Sequence, residues 1–354
     1  MKSNRLTTRK GEAIAFTELG FGGGPLGNMY APLREEEAQA TLDAAYEAGI
    51  RYFDTAPLYG LGLSETRFGQ AFARFGRAGT VLASKVGRVL REPKDAADDP
   101  SGIFVDVPRR SYDFDYSYDG VMRAYEQSLA RMGVARIDVL YIHDVDSWAH
   151  GSREGAEARL AEVMGTGFRG ERKAGYRALA ELRDAGDVSA IGAGVNDWEI
   201  CDWLMRRGDF DLFLLAGRYS LLEQKAQETF LPDCIERGVG VVLGGPFNSG
   251  ILATGAVKDA RYNYAPAPED ILDRVRGIEA ICREHEVALP HAALRFALAH
   301  PAIVSVIPGA RTPEEVGRNV EALSADIPDA LWTALKEHGY LREDAPVPGN
   351  ENGA

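Results

Sequence analysis

Short runs rich in β-branched and aromatic residues recur along the chain, and each is followed by a stretch with apolar residues three and four apart. The runs are Phe16–Phe21, Tyr52–Thr55, Val81–Val86, Ile137–His143, Ser189–Val195, Leu212–Ala216, Val239–Leu243 and Ile303–Ile307. Helical spacing is carried by Ala38, Leu42, Ala45 and Tyr46, by Val121, Ala124, Tyr125, Leu129 and Met132, by Tyr176, Leu179, Ala180 and Leu182, and by Ile271, Val275, Ile278 and Ile281. Gly49, Gly133, Gly186 and Gly238 each follow such a stretch, where a left-handed residue ends a helix and returns the chain to a strand. Eight strand–helix alternations with nearly continuous apolar strands predict an α/β fold, a (β/α)8 TIM barrel. A doubly wound sheet is the rival. It needs a dinucleotide fingerprint after an early strand, and Gly20 to Pro25 is glycine-rich without the GxGxxG spacing, while Pro25 opposes a helix there.

The barrel reading makes 1–354 one domain, with a core over about 19–327 and a C-terminal helix and tail over 328–354. Three strand-to-helix loops are long: Arg88 to Asp119 after strand 3, Asp144 to Arg172 after strand 4, and Pro246 to Pro268 after strand 7. Loops of this length are functional lids or disordered insertions, and the aromatic run from Tyr112 to Tyr118 favours a lid. The Pro/Gly-rich tail from Glu343 is expected to fray at its end.

Composition narrows the partners. With 40 Lys+Arg against 53 Asp+Glu, the net charge of −13 over 354 residues lacks the basic footprint of a nucleic-acid binder. No apolar run approaches the ~18 residues of a membrane span, and the N-terminus lacks a signal-peptide core, so a cytoplasmic protein is expected. Cys201, Cys234 and Cys282 are too dispersed for a disulfide framework or a zinc site, and the six histidines show no close ligand pair at strand ends, so no metal is expected. Glycine is in excess, at 39 residues. Gly22 to Gly24, Gly244, Gly245, Gly250 and Gly309 fall at the predicted mouth, where missing side chains leave room for a ligand.

Four polar residues lie at or just beyond the ends of consecutive strands: Asp54, Tyr59, Lys85 and His143. Strand ends gather at one face of a barrel, so the four can converge. A tyrosine hydroxyl is a poor base unless a cation stabilises its phenolate. Lys85 could supply that cation, Asp54 could hold Lys85, and His143 could orient the substrate oxygen. That set suits proton transfer at a carbon that gains or loses hydride, with the hydride carrier coming from elsewhere.

Phe53 to Gly60, Ser64-Glu65, Ser84-Lys85, Ile137 to His143 and Ile307 to Ala310 resemble, in order, signatures of the aldo-keto reductase superfamily. The resemblance implies a barrel that binds a nicotinamide nucleotide without a Rossmann domain, and it makes Asp54, Tyr59, Lys85 and His143 a catalytic tetrad. Gly23 to Asn28, Tyr118 to Met122, His143 to Asp146 and Leu214 to Tyr219 resemble the D-threo-aldose 1-dehydrogenase and L-fucose dehydrogenase branch, with L-galactose and pyridoxal 4-dehydrogenases closely related. It implies oxidation of the anomeric carbon of an aldose of the L-fucose, D-arabinose or L-galactose type to a lactone. Oxidation of the cyclic hemiacetal of pyridoxal is the alternative, and a non-enzymatic, nucleotide-binding redox sensor is a third reading. A monomer or small homo-oligomer is expected.

The same resemblance carries over cofactor contacts. Asn196 stands for the residue that holds the nicotinamide carboxamide, and Phe247 is the aromatic available for stacking. Pro246 to Gly250 stands for the pyrophosphate loop, with Ser249 and Gly250 in it, and Gly23 lies at the mouth. Pro308, Gly309, Arg311, Glu315 and Asn319 match the adenosine-binding loop and helix. Relatives that prefer NADP often place Lys at Gly309 and Arg at Glu315, so a carboxylate there favours NAD, partly offset by Arg311. Acidic residues in a first helical turn are equally favoured by the helix dipole.

Overall fold

Eight parallel strands follow one another round a closed sheet in a computed structural model that describes residues 1–92, 102–165 and 173–349. They are β1 (Phe21–Gly22), β2 (Tyr52–Asp54), β3 (Val81–Val86), β4 (Val139–His143), β5 (Ala190–Val195), β6 (Leu212–Ala216), β7 (Gly240–Gly244) and β8 (Ile303–Ile307). Neighbours in the sheet are neighbours in sequence, and bridges from Leu19 to Val306 and from Gly22 to Gly309 join β8 back to β1. Parallel pairing demands a crossover, and each is made by at least one helix, such as Leu63–Phe75 between β2 and β3 and Tyr118–Met132 between β3 and β4. Gly133 and Gly238, both at φ 63°, end their helices as expected, their N–H groups donating to Leu129 O and Cys234 O.

Three strands coincide with the sequence reading, three are shorter by one or two residues, and the seventh is displaced by one, from Val239–Leu243 to Gly240–Gly244. The first differs: the run Phe16–Phe21 is two elements. Ala13–Thr17 pairs with Ser3–Thr7 in an antiparallel hairpin, and only Phe21–Gly22 belongs to the barrel. Leu6, Ile14 and Phe16 of that hairpin are buried against Tyr52, Val139, Tyr141 and Leu212 inside the barrel. Phe16 meets Tyr52 edge to face at 4.9 Å. The hairpin thus seals the end of the barrel opposite the strand C-termini, and functional groups are left with the other end.

The long loops carry structure of their own. After β3, Arg88–Arg91 pairs with Ser111–Phe114. Asp98 to Ser101 lie outside the described residues, as do 166–172 of the loop after β4 and the final five residues, 350–354, where fraying was expected. Up to Gly349 the tail is docked, with Ala345 and Val347 buried. Among the described residues, no helix is long and apolar enough to cross a membrane.

His300, buried before β8, accepts the N–H of Ala302 on Nδ1 and packs edge-on against Tyr219. Burial holds its pKa down at about 4, against 6.5 in an unfolded chain. The unfolded state therefore binds the extra proton between pH 6.5 and 4, so this residue makes stability fall as pH falls through that window. Asp146, pushed up to about 6 by burial and by Asp144, acts with the opposite sign. Comparing wild type with His300→Gln isolates the histidine: between pH 7 and 4 the wild type should lose roughly 3 kcal/mol more in urea unfolding. Equal losses would show that His300 takes a proton without disturbing the fold.

Candidate active site

Asp54 ends β2, Lys85 is the penultimate residue of β3 and His143 ends β4, so adjacent strands deliver the three groups to one place. Tyr59 arrives from the turn after β2, with its N–H donating to Ala56 O. Lys85 Nζ donates to Asp54 Oδ1 at 2.6 Å, to Thr55 O at 2.9 Å and to the Tyr59 hydroxyl at 3.3 Å. The Tyr59 and His143 rings stand edge to face, 5.9 Å apart. The four residues that the sequence singled out therefore converge.

Their electrostatics are less simple than a cation beside a phenol. Asp54 and Lys85 are each 1% exposed and form a tight ion pair, so most of the lysine's charge is met by the carboxylate. Burial raises Tyr59 well above its ordinary 10, the Asp54 and Asp144 charges add to this, and Arg88 opposes it. Burial, then Arg88 and Lys85, holds His143 well below 6.5. The protein by itself thus presents a protonated phenol and a neutral imidazole. The lowering of the tyrosine pKa expected from Lys85 is not found: desolvation dominates, and the charge that opposes it is Arg88.

Two adjoining cavities meet at Tyr59, Asn196 and Tyr264. One, of about 290 Å³, runs beneath Asn196, Phe247, Ser249, Gly250 and Gly309. A Cβ on Gly250, at φ 99°, would find no heavy atom within 4 Å, so the loop backbone faces open space. Asn248 and Ser249 also hold left-handed backbone, at φ 44° and 61°, a cluster of strain of the kind found at ligand clamps. This loop and its glycines fit a phosphate-bearing nucleotide.

Other residues assigned to the cofactor are placed differently. Gly23 is buried: its N–H donates to Asp54 O at 2.7 Å, and a Cβ would stand 2.8 Å from that oxygen, so it packs β1 against β2 and lines neither cavity. Pro308 O accepts the N–H of Gly22, a barrel-closing bond. Arg311 donates to the carbonyls of Met29, Ala31 and Pro32, so its charge props up that loop and does not face the cavity. Glu315 accepts the Arg311 N–H at 2.7 Å, and Thr312 Oγ1 caps Glu315 N, as the helix-terminus reading allows. Asn319, half-buried on Pro313–Ser324, lines neither cavity.

The second cavity, of about 410 Å³, leads from Tyr59, Lys85 and His143 to Phe104, Tyr112, Phe114 and Trp148. Of the aromatic run after β3, Tyr112 and Phe114 reach this cavity. Tyr116 is buried and donates to His143 O, and Tyr118 donates to Glu181 Oε2. Arg88 and Asp144, paired at 3.0 Å, also line it and were not singled out from the sequence. The signal was available: charged residues directly beyond strand ends, three positions after Lys85 and one after His143.

A family model described as the aldo/keto reductase family matches residues 18–339. The chain is 40% identical to pyridoxal 4-dehydrogenase of Microbacterium luteolum, over 93% of this chain and 95% of that protein. It is 39% identical to D-threo-aldose 1-dehydrogenase of a Pseudomonas species, over 92% and 94%. An aldo-keto reductase of Bacillus halodurans in its holo form shares the fold with a TM-score of 0.71 at 24% identity, covering 95% of this chain and 96% of that one.

Removing the Arg311 side chain breaks three bonds to otherwise irregular backbone. Arg311→Ala should lower stability by about 1–3 kcal/mol while leaving discrimination between NAD and NADP unchanged. Thermal melts and cofactor titrations check this; unchanged stability with altered discrimination would put Arg311 at the cofactor after all.

Proposed function

As the chain belongs to the aldo/keto reductase family, we propose that it oxidises the anomeric carbon of an aldose, of the L-fucose, D-arabinose or L-galactose type, to a lactone. The observation that carries this is the second cavity, where the Tyr59 hydroxyl and His143 adjoin an ion pair and an aromatic wall, a lining suited to a hydroxylated ring. Asn196, Phe247, Ser249, Gly250 and Gly309 are proposed to hold the nicotinamide nucleotide, with backbone amides of the 246–250 loop toward its phosphates. When bound, the oxidised nucleotide supplies the hydride acceptor and a positively charged ring in the same cavity system. NAD is the proposed preference: the Glu315 carboxylate, on the loop and helix assigned to the adenosine, would repel a ribose phosphate bound beside it, and Arg311, engaged with carbonyls, would not offset it.

Tyr59 is proposed as the base. It takes the proton of the anomeric hydroxyl as the C–H bond breaks, the hydride leaves with its electron pair for the nucleotide, and the exocyclic anomeric C–O becomes the lactone carbonyl while the ring C–O stays single. Lys85 orients the phenol and Asp54 fixes Lys85, while His143 donates to the reacting oxygen. In the reverse direction the same phenol is the acid. A pyridoxal hemiacetal is the second reading, favoured by Tyr112 and Phe114, which face the cavity and can stack on a pyridine ring.

Absorbance of reduced nucleotide should appear with NAD and an aldose from a panel of fucose, arabinose and galactose, and Tyr59→Phe should lower kcat by at least 100-fold, an order-of-magnitude expectation for a lost acid–base group. Oxidation needs the phenolate and reduction the phenol, so oxidation should accelerate and reduction slow as pH rises. Higher kcat/KM for pyridoxal than for every sugar would select the second reading, and full activity in Tyr59→Phe would remove the mechanism.

A further inference from the structure

Asp144 follows His143 directly, yet its carboxylate turns back on the imidazole. Its backbone is left-handed, at φ 49°, and is fixed from two sides: its N–H donates to Gly194 O at 2.9 Å, and its carbonyl accepts from Tyr116 at 3.1 Å. The same Tyr116 hydroxyl donates to His143 O at 2.7 Å. This bend leaves Asp144 Oδ2 3.4 Å from His143 Nε2 and 3.0 Å from Arg88 Nη1, so one oxygen serves both. His143 Nδ1, in contrast, is buried with no hydrogen-bond partner among the described residues.

We infer that Asp144, held by Arg88 and by the bend that Tyr116 clamps, is a positioning residue that fixes the proton of His143 on Nε2. A neutral imidazole carries one proton, and the nitrogen facing a carboxylate keeps it, because a bare Nε2 lone pair would face negative charge. Arg88 and Lys85 beside the ring favour the neutral form. Nε2, on the side shared with Asp144 in the second cavity, then offers an N–H to the reacting oxygen, and Arg88 holds the Asp144 carboxylate in place. The role at the reacting oxygen rests on the oxidoreductase reading above, whereas the position of the proton does not.

Long-range proton–nitrogen spectra of uniformly 15N-labelled, cofactor-free protein at neutral pH distinguish the tautomers and need neither substrate nor variant. Wild type should show the Nε2–H form of His143. Asp144→Asn keeps the shape but not the charge, and its amide can turn an NH2 toward the ring. It should shift His143 toward Nδ1–H and lower kcat by roughly 10- to 100-fold, with the affinity for NAD unchanged. Arg88→Lys, which keeps a cation beside the carboxylate, should retain the wild-type tautomer. An Nδ1–H form in wild type overturns the inference, as does an unchanged tautomer in Asp144→Asn. A rise in KM alone, with tautomer and kcat intact, would make Asp144 a substrate contact and not a positioning residue. An Nε2–H wild type in a protein inactive on every sugar and on pyridoxal would instead refute the proposed function and leave the tautomer assignment standing.

Discussion

A lysine ammonium 1% exposed to water is tolerable only if its charge is met, and the Asp54 carboxylate 2.6 Å away meets it. That requirement reaches far into the fold. The two residues sit on adjacent strands, so the pair depends on the parallel register of β2 and β3, in which Asp54 lies opposite Ala83. Gly23, with no side chain, lets β1 press against the Asp54 carbonyl. The glycine expected at a ligand surface acts one layer beneath it, under the carbonyl of the residue that pairs with the lysine, and the lysine reaches on to the Tyr59 hydroxyl.

Backbone that lies outside regular structure near this site is held largely by arginines. Arg67 is buried and donates to Leu26 O and Leu33 O, while Arg311 takes Met29, Ala31 and Pro32 from the other side. Between them the carbonyls of an irregular stretch after β1 find donors that a helix or sheet would otherwise supply. A planar guanidinium with several fixed donors suits this task better than a lysine does. It also explains why a cation near a nucleotide-sized cavity is a poor indicator of phosphate contact: the charge is real, but its hydrogen bonds are spoken for.

The barrel was legible because its signal is periodic and local: Val81–Val86, Leu212–Ala216 and Ile303–Ile307 are apolar runs bounded by turns, and the structure reproduces their limits. The tetrad was legible because barrel geometry turns strand ends in sequence into neighbours in space. The N-terminal hairpin was not, since Ser3–Thr7 is polar at four of its five positions and only its contact with the barrel interior distinguishes it from a tail. Arg311 was misplaced for a related reason. Its partners are the backbone carbonyls of Met29, Ala31 and Pro32, which leave no trace in side-chain identity. The sign of the Tyr59 shift depends on depth of burial, which motif spacing does not report.

The hairpin that plugs the barrel ties distant parts of the chain together. Asn4 Nδ2 donates to Val304 O and Ser305 Oγ donates to Thr17 O, contacts separated by 300 and 288 residues. At about 5–20 residues per second of synthesis, the hairpin waits roughly 15 to 60 s for the strand that receives it. Throughout that interval Leu6, Ile14 and Phe16 have no barrel to enter, so the last stave of the barrel, and not the first, decides when these apolar side chains leave water.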